Sequence, residues 1–61
     1  MVEIRHPEFK FKVEDAVVWE GKMAKVEECH FDGAGKNVYL IQTANHLYHY
    51  VYEENLEVYI G

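Results

Sequence analysis

Residues 38–56 read VYLIQTANHLYHYVYEENL, and the fold turns on how the two halves of this stretch pair. The first half, VYLIQT, is rich in β-branched and aromatic residues, and the second places Tyr48, Tyr50 and Tyr52 at every second position. That composition and alternation mark two strands joined by a short turn at Ala44-Asn45. Successive side chains on a strand point to opposite faces, so His46 and the three tyrosines share one side, and Leu47, His49 and Val51 the other. Loop length decides which side is the core. A two-residue loop, Ala44-Asn45, sets Ile41 opposite Tyr48 and Tyr39 opposite Tyr50, turning the tyrosines onto the face of Ile41. A three-residue loop of Ala44, Asn45 and His46 sets Ile41 opposite His49 and Tyr39 opposite Val51. Tyr39, Ile41, Leu47 and Val51 then share the inner face, and Tyr48 and Tyr50 lie outside beside Leu40 and Gln42. One residue of slip reverses every side chain. The second register is preferred because it gathers the β-branched residues inside. The turn also lacks the Asn-Gly or Asp-Gly pair of the tightest hairpins, and Asn45 or His46 can supply a left-handed residue.

Outward from this hairpin the chain keeps a strand-like period. FKFKV alternates strictly, with Phe9, Phe11 and Val13 on one face and Lys10 and Lys12 on the other. Glu14-Asp15 separates it from AVVWEG, where Val17 and Trp19 share a face. Gly21-Lys22 reads as a turn, MAKVEECHF as the next strand, and DGAGKN, with two glycines in six residues, as a loop. Asn55-Leu56 leads into a closing EVYIG. No segment holds a helical period over ten residues. About five short antiparallel strands with closely spaced turns predict an all-β fold, a small barrel whose closure removes the exposed edges of so small a sheet. Residues 1–8 read as an extended lead-in, and residues 9–61 as a single domain.

The order FKVEDAVVWEGKMAKVEEC, loop, VYLIQT, turn, YVYEENLEV resembles small SH3-like barrels, in particular the KOW and Tudor-like versions and the short stand-alone domains of bacteria and phages. In these an opening like Phe11-Lys12-Val13-Glu14-Asp15 precedes the first barrel strand. A turn like Gly21-Lys22 and a valine like Val26 follow, and an ending like Glu53-Glu54-Asn55-Leu56-Glu57 closes the barrel. The resemblance spans roughly Phe9 to Val58 and departs from the pattern at Glu14 and Ala24, where glycine is usual. It implies a non-catalytic binding domain. Such barrels take proline-rich peptides, methylated side chains, nucleic acid or other proteins, and the fold alone does not choose among them.

Composition narrows the choice. Eleven acidic against six basic residues give a net charge of −5, a field that repels phosphate backbones and anionic membranes. Cys29 is the only cysteine, so no internal disulfide forms and a reduced, cytoplasmic setting is expected. Hydrophobic residues at 49% and aromatics at 15% exceed what disordered chains carry. There is no serine and one threonine, Thr43. Cys29 with a histidine is then the sole conceivable nucleophile–base pair, and a chain of this size leaves little room for a catalytic pocket. Cys29 and His30 are adjacent and His46 and His49 are three apart, spacings that split them across strand faces and disfavour zinc. No enzyme activity, metal or cofactor is expected.

What stands out is excess aromatic content beside negative charge. Tyr48 and Tyr50 in the second register, together with Trp19, are the expected contacts of a protein partner. Glu27, Glu28, Glu53 and Glu54 are the expected acidic rim, favouring a basic partner. Against this, Trp19 also suits a core pillar packed on Phe9, Phe11 or Val26, and the tyrosines suit an outer wall of cross-strand pairs. A nucleic-acid-binding barrel is the alternative, with Lys10, Lys12, Lys22, Lys25 and Lys36 as phosphate contacts and Tyr48 or Tyr50 for stacking. A homodimer that pairs an edge or buries the tyrosines is the third.

Overall fold

The computed structural model describes residues 9–60, so the lead-in expected over residues 1–8 lies outside the described residues. The strands are β1 (Ala16–Trp19), β2 (Lys22–Phe31), β3 (Asn37–Thr43), β4 (Tyr48–Tyr52) and β5 (Glu57–Val58), with a 3₁₀ turn over Glu53–Asn55. They form one antiparallel sheet ordered β4-β3-β2-β1-β5. The chain meanders through four strands, and the 3₁₀ turn then carries it back to the far side of β1, where Val17 pairs with Val58 and Val18 with Glu57. The fold is all-β, as the alternation predicts.

β2 holds the two halves of the sheet together. Its first residues pair with β1, from Trp19↔Lys22 to Ala16↔Lys25, and from Ala24 onward it pairs with β3, from Ala24↔Thr43 to Phe31↔Asn37. Within the β3 pairing the register shifts, because Val26 faces Ile41 while Glu28 faces Leu40. Glu27 is thus an extra residue, a bulge that bends the strand and increases its twist. The bulge also resets the alternation. Val26 and Cys29, three apart, both sit on the core side, opposite Ile41 and Tyr39.

The β3–β4 hairpin adopts the three-residue loop. Ile41 pairs with His49 and Tyr39 with Val51. Thr43 N–H donates to the Leu47 carbonyl at 2.9 Å, and His46 takes the left-handed conformation at φ +60°. Tyr39, Ile41 and Val51 are buried as expected, but Leu47 is 55% exposed. It closes the hairpin at the end of the sheet, beyond the reach of the core. The core is Phe11, Val17, Ala24, Val26, Tyr39, Ile41, Val51 and Leu56, with Phe9, Trp19 and Cys29 packed against it. Val17, Val26, Tyr39 and Ile41 are fully buried, so β1, β2 and β3 all contribute to its centre.

Two local expectations change. The alternating FKFKV is not a ladder strand, because side chains, not a neighbouring strand, take up its backbone donors. Lys10 N–H donates to Glu53 Oε2 (3.0 Å), Phe11 N–H to Tyr39 Oη (3.2 Å) and Lys12 N–H to Asp15 Oδ2 (2.9 Å). Phe9 and Phe11 still turn inward, each meeting the Tyr39 ring edge-on. Val13 instead lies half-exposed in the turn that follows. The first hairpin turn likewise sits one residue early. Lys22 already pairs with Trp19, leaving Glu20 (φ +50°) and Gly21 (φ +76°) as a two-residue loop with two positive φ angles, the type that suits strand twist.

Glu14 is a third non-glycine residue at positive φ. It stands at φ +81° in a turn where Asp15 N–H donates to the Lys12 carbonyl, the third place of a turn that ordinarily takes glycine. Holding a non-glycine residue there costs roughly 1–2 kcal/mol. Its ion pair with Lys25, 3.7 Å long and open to water, offsets little of that. Glu14→Gly is therefore expected to stabilise the domain by about 0.5–1 kcal/mol once the greater freedom of glycine in the unfolded chain is deducted. A thermal melt followed by circular dichroism should rise by a few degrees, and Glu14→Ala, which keeps the strain, should show no gain.

Candidate binding surface

β4 is an edge strand, and its outer side carries Tyr48, Tyr50 and Tyr52, which are 57%, 68% and 43% exposed. Pairing sets them opposite Gln42, Leu40 and Val38 of β3, and Val38 in turn opposite His30 of β2. The His30 ring lies 5.9 Å from that of Tyr50, and Gln42 Nε2 donates to Tyr48 Oη at 3.3 Å. The tyrosines therefore do pack across strands, as an outer wall does, while keeping one ring face in water. Burial of their half-covered neighbours Leu40 and Val38 fixes the floor on which they stand.

Trp19 projects on the opposite side of the sheet. It is half-buried at the margin of the core, its ring 4.5 Å from that of His49. It reaches the tyrosines only around the free edge of β4, where Trp19, Glu20, Tyr50, Tyr52 and Asn55 line an open recess of about 540 Å³. On its other flank a second recess of about 380 Å³ lies between the two hairpin turns, walled by Met23, Leu47 and His49. Met23 and Leu47 are both more than half exposed; Met23 escapes notice in the sequence and Leu47 is read there as an inner-face residue, because alternation does not tell where the cover of the sheet ends. Tyr52 is legible there as the third member of the stripe.

The four glutamates have separate surroundings. Glu27 occupies the bulge and meets Lys25 at 3.4 Å. Glu28 accepts from His30 Nε2 at 2.6 Å. Glu54 meets Lys36 Nζ at 2.9 Å, and that ammonium stands 5.3 Å over the Tyr52 ring. Hydrogen bonding to Glu27 and the charges of Glu14 and Glu27 raise the Lys25 pKa, and Glu54 does the same for Lys36. Two of the lysines considered for phosphate contact are thus engaged by carboxylates within the domain.

Glu53 faces inward. Its Oε2 accepts from Tyr39 Oη (2.5 Å), Lys10 N–H (3.0 Å) and Asn37 Nδ2 (3.0 Å). Burial pushes its carboxyl upward, but the hydrogen bonds from Tyr39, Lys10 and Asn37 outweigh it and hold the group below the ordinary carboxylate range. Burial, aided by Glu53, lifts the Tyr39 hydroxyl to about 12. Cys29 is half-buried and donates to the Phe11 carbonyl, and desolvation raises its thiol, which leaves it a packing residue with little thiolate. Among the described residues no three His, Cys, Asp or Glu side chains are grouped to hold a metal ion, and no helix is long and apolar enough to cross a membrane. Comparison with protein-family models, with curated proteins and with solved structures gives no match.

The Glu53–Tyr39 pair sets a pH window. A carboxylate depressed in the folded state contributes stability above its unfolded range and loses it as pH falls, and a tyrosine raised in the folded state contributes below its unfolded range and loses it as pH rises. Urea midpoints are therefore expected to hold steady between about pH 5 and pH 9, and to fall on both sides. Tyr39→Phe removes the donor to Glu53 and the acceptor of Phe11 N–H. It should cost about 2 kcal/mol at neutral pH and make both the acid and the alkaline limbs shallower.

Proposed function

We propose that this chain is a small SH3-like barrel that works as a non-catalytic protein-interaction module, of the stand-alone kind found in bacteria and phages, and that it binds a basic partner over the outer face of β4. The SH3-like reading is supported by the strand order, in which a 3₁₀ turn after the fourth strand returns the chain to pair β5 with β1. One observation carries the functional reading: Tyr48, Tyr50 and Tyr52 hold three rings at strand spacing on an edge strand, with Tyr50 more than two-thirds exposed. Tyrosine brings large contact area at low entropic cost, since few torsions are fixed on binding. Glu28 and Glu54 flank the stripe through their contacts with His30 and Lys36, next to Tyr50 and Tyr52 respectively. Trp19 takes part from the recess at the β4 edge. Glu27 belongs to the Lys25 side of the surface, and Glu53 acts by holding the 3₁₀ turn in place.

A nucleic-acid ligand has less support, because the net charge is −5 and Lys25 and Lys36 are ion-paired. Self-association through the free β4 edge would bring two acidic chains together.

The test is isotope-edited shift mapping with a basic partner protein, comparing the native chain with a Tyr48→Ala/Tyr50→Ala variant. Shifts should cluster on β4, and the variant should bind at least tenfold more weakly while its urea midpoint changes little. Shifts clustering away from β4 would sink the reading. Retardation of RNA or DNA in a low-salt gel, relieved by added salt, would replace it with the nucleic-acid alternative.

A further inference from the structure

The domain already shows how it treats an ammonium group. Lys36, the residue before β3, extends across the Tyr52 ring with Nζ 5.3 Å from the ring centroid and 2.9 Å from Glu54 Oε1. An aromatic face supplies quadrupole attraction and a carboxylate supplies full charge, the two components that recognise an alkylammonium. The place is a recess of about 280 Å³, walled by Gly35, Asn37, Tyr52, Glu53 and Glu54. Its far wall is fixed, since Asn37 Nδ2 and Glu53 are hydrogen-bonded to each other and Glu53 to Tyr39.

The occupant is held loosely. Lys36 and Glu54 side chains are 56% and 63% exposed, and ion pairs so open to water contribute little net stability. Exchanging Lys36 for an equivalent ammonium therefore costs little. The same exchange is demanded by the charge pattern. The acids beside the tyrosine stripe, Glu28 and Glu54, already contact His30 and Lys36, so a basic partner meets a face whose acids are spoken for. Among the described residues, only Lys36 sets its cation over a ring of the stripe itself.

We propose that Tyr52 and Glu54 form a site for a lysine side chain of the protein partner, and that Lys36 fills this site in the free chain as an internal competitor. The partner's lysine rests on the reading of β4 as a protein-binding face, whereas the ammonium site can be tested apart from it. Charge complementarity selects the occupant: a cation of the lysine class already sits there. An internal competitor lowers apparent affinity by the fraction of time it leaves the site open. Removing it should tighten ammonium binding several-fold.

The probe is n-butylammonium chloride, titrated against sodium chloride at matched ionic strength, with the Tyr52 ring and Glu54 side-chain resonances observed by NMR. The native chain should respond weakly. Lys36→Met, which keeps the apolar stem and loses the charge, should bind about two- to fivefold more tightly by the same fraction argument for so loosely held an occupant, with the response confined to Tyr52 and Glu54. Lys36→Gln serves as a second variant should the methionine disturb the loop, and each variant's melting curve checks that it is folded. Adding Glu54→Gln to either should abolish the gain. Equal affinity in native and Lys36 variants, or a gain that survives Glu54→Gln, overturns the proposal. Failure here with Tyr48→Ala/Tyr50→Ala still weakening partner binding removes the ammonium site alone. Success here with that variant binding its partner normally keeps the site and removes the partner reading.

Discussion

The Glu53 carboxylate sits where three parts of the chain meet. It accepts the Tyr39 hydroxyl from the middle of the core, the Lys10 N–H from the segment before β1, and the Asn37 amide from the start of β3. A half-buried charge so placed is held by three donors together, and loss of the Tyr39 hydroxyl both weakens that set and leaves the buried Phe11 N–H without its acceptor. Tyr39 is the other half of the device. Its ring is packed edge-on by Phe9 and Phe11 while its hydroxyl receives Phe11 N–H and donates to Glu53. One tyrosine thereby joins the hydrophobic core to the polar network that positions the 3₁₀ turn.

The exposed surface follows from that arrangement. With Tyr39 inside, Val51 opposite it is inside too, and Leu40 and Tyr50, one residue along each strand, must face out. The 3₁₀ turn held by Glu53 places Glu54 beside Lys36 and Tyr52, and it directs the chain toward β5 on the far side of β1. The β2 bulge adds the second constraint. By admitting Glu27 it lets Val26 and Cys29 both face the core, opposite Ile41 and Tyr39.

Much of this was legible in the residues, and the departures have identifiable causes. Alternation in VYLIQT and YHYVY located β3 and β4, and the absence of an Asn-Gly turn favoured the three-residue loop that His46 completes at positive φ. Alternation in FKFKV located the inward rings of Phe9 and Phe11 but not the absence of a ladder, because the partners of its N–H groups are side chains up to 43 residues away. Leu47 and Trp19 show the same limit in apolar form. Their type suits a core, but a five-stranded sheet of this size covers a short interior, and residues at its ends remain open. Of the four glutamates, nothing in their spacing separates Glu53 from Glu54. Only the curl of the 3₁₀ turn sends one toward Tyr39 and the other toward Lys36.

The residues alone determined the class of the fold and the faces of most of its strands, because period-two alternation is a local property that the backbone enforces wherever a strand forms. They also determined the net charge of −5, since that is a sum over residue types and needs no fold. Tertiary structure decided which side of β4 meets solvent, which glutamate is structural, and which lysine lies over a tyrosine ring. Those depend on contacts between residues distant in sequence, where a single bulge or one residue of register moves a side chain from the core to the surface.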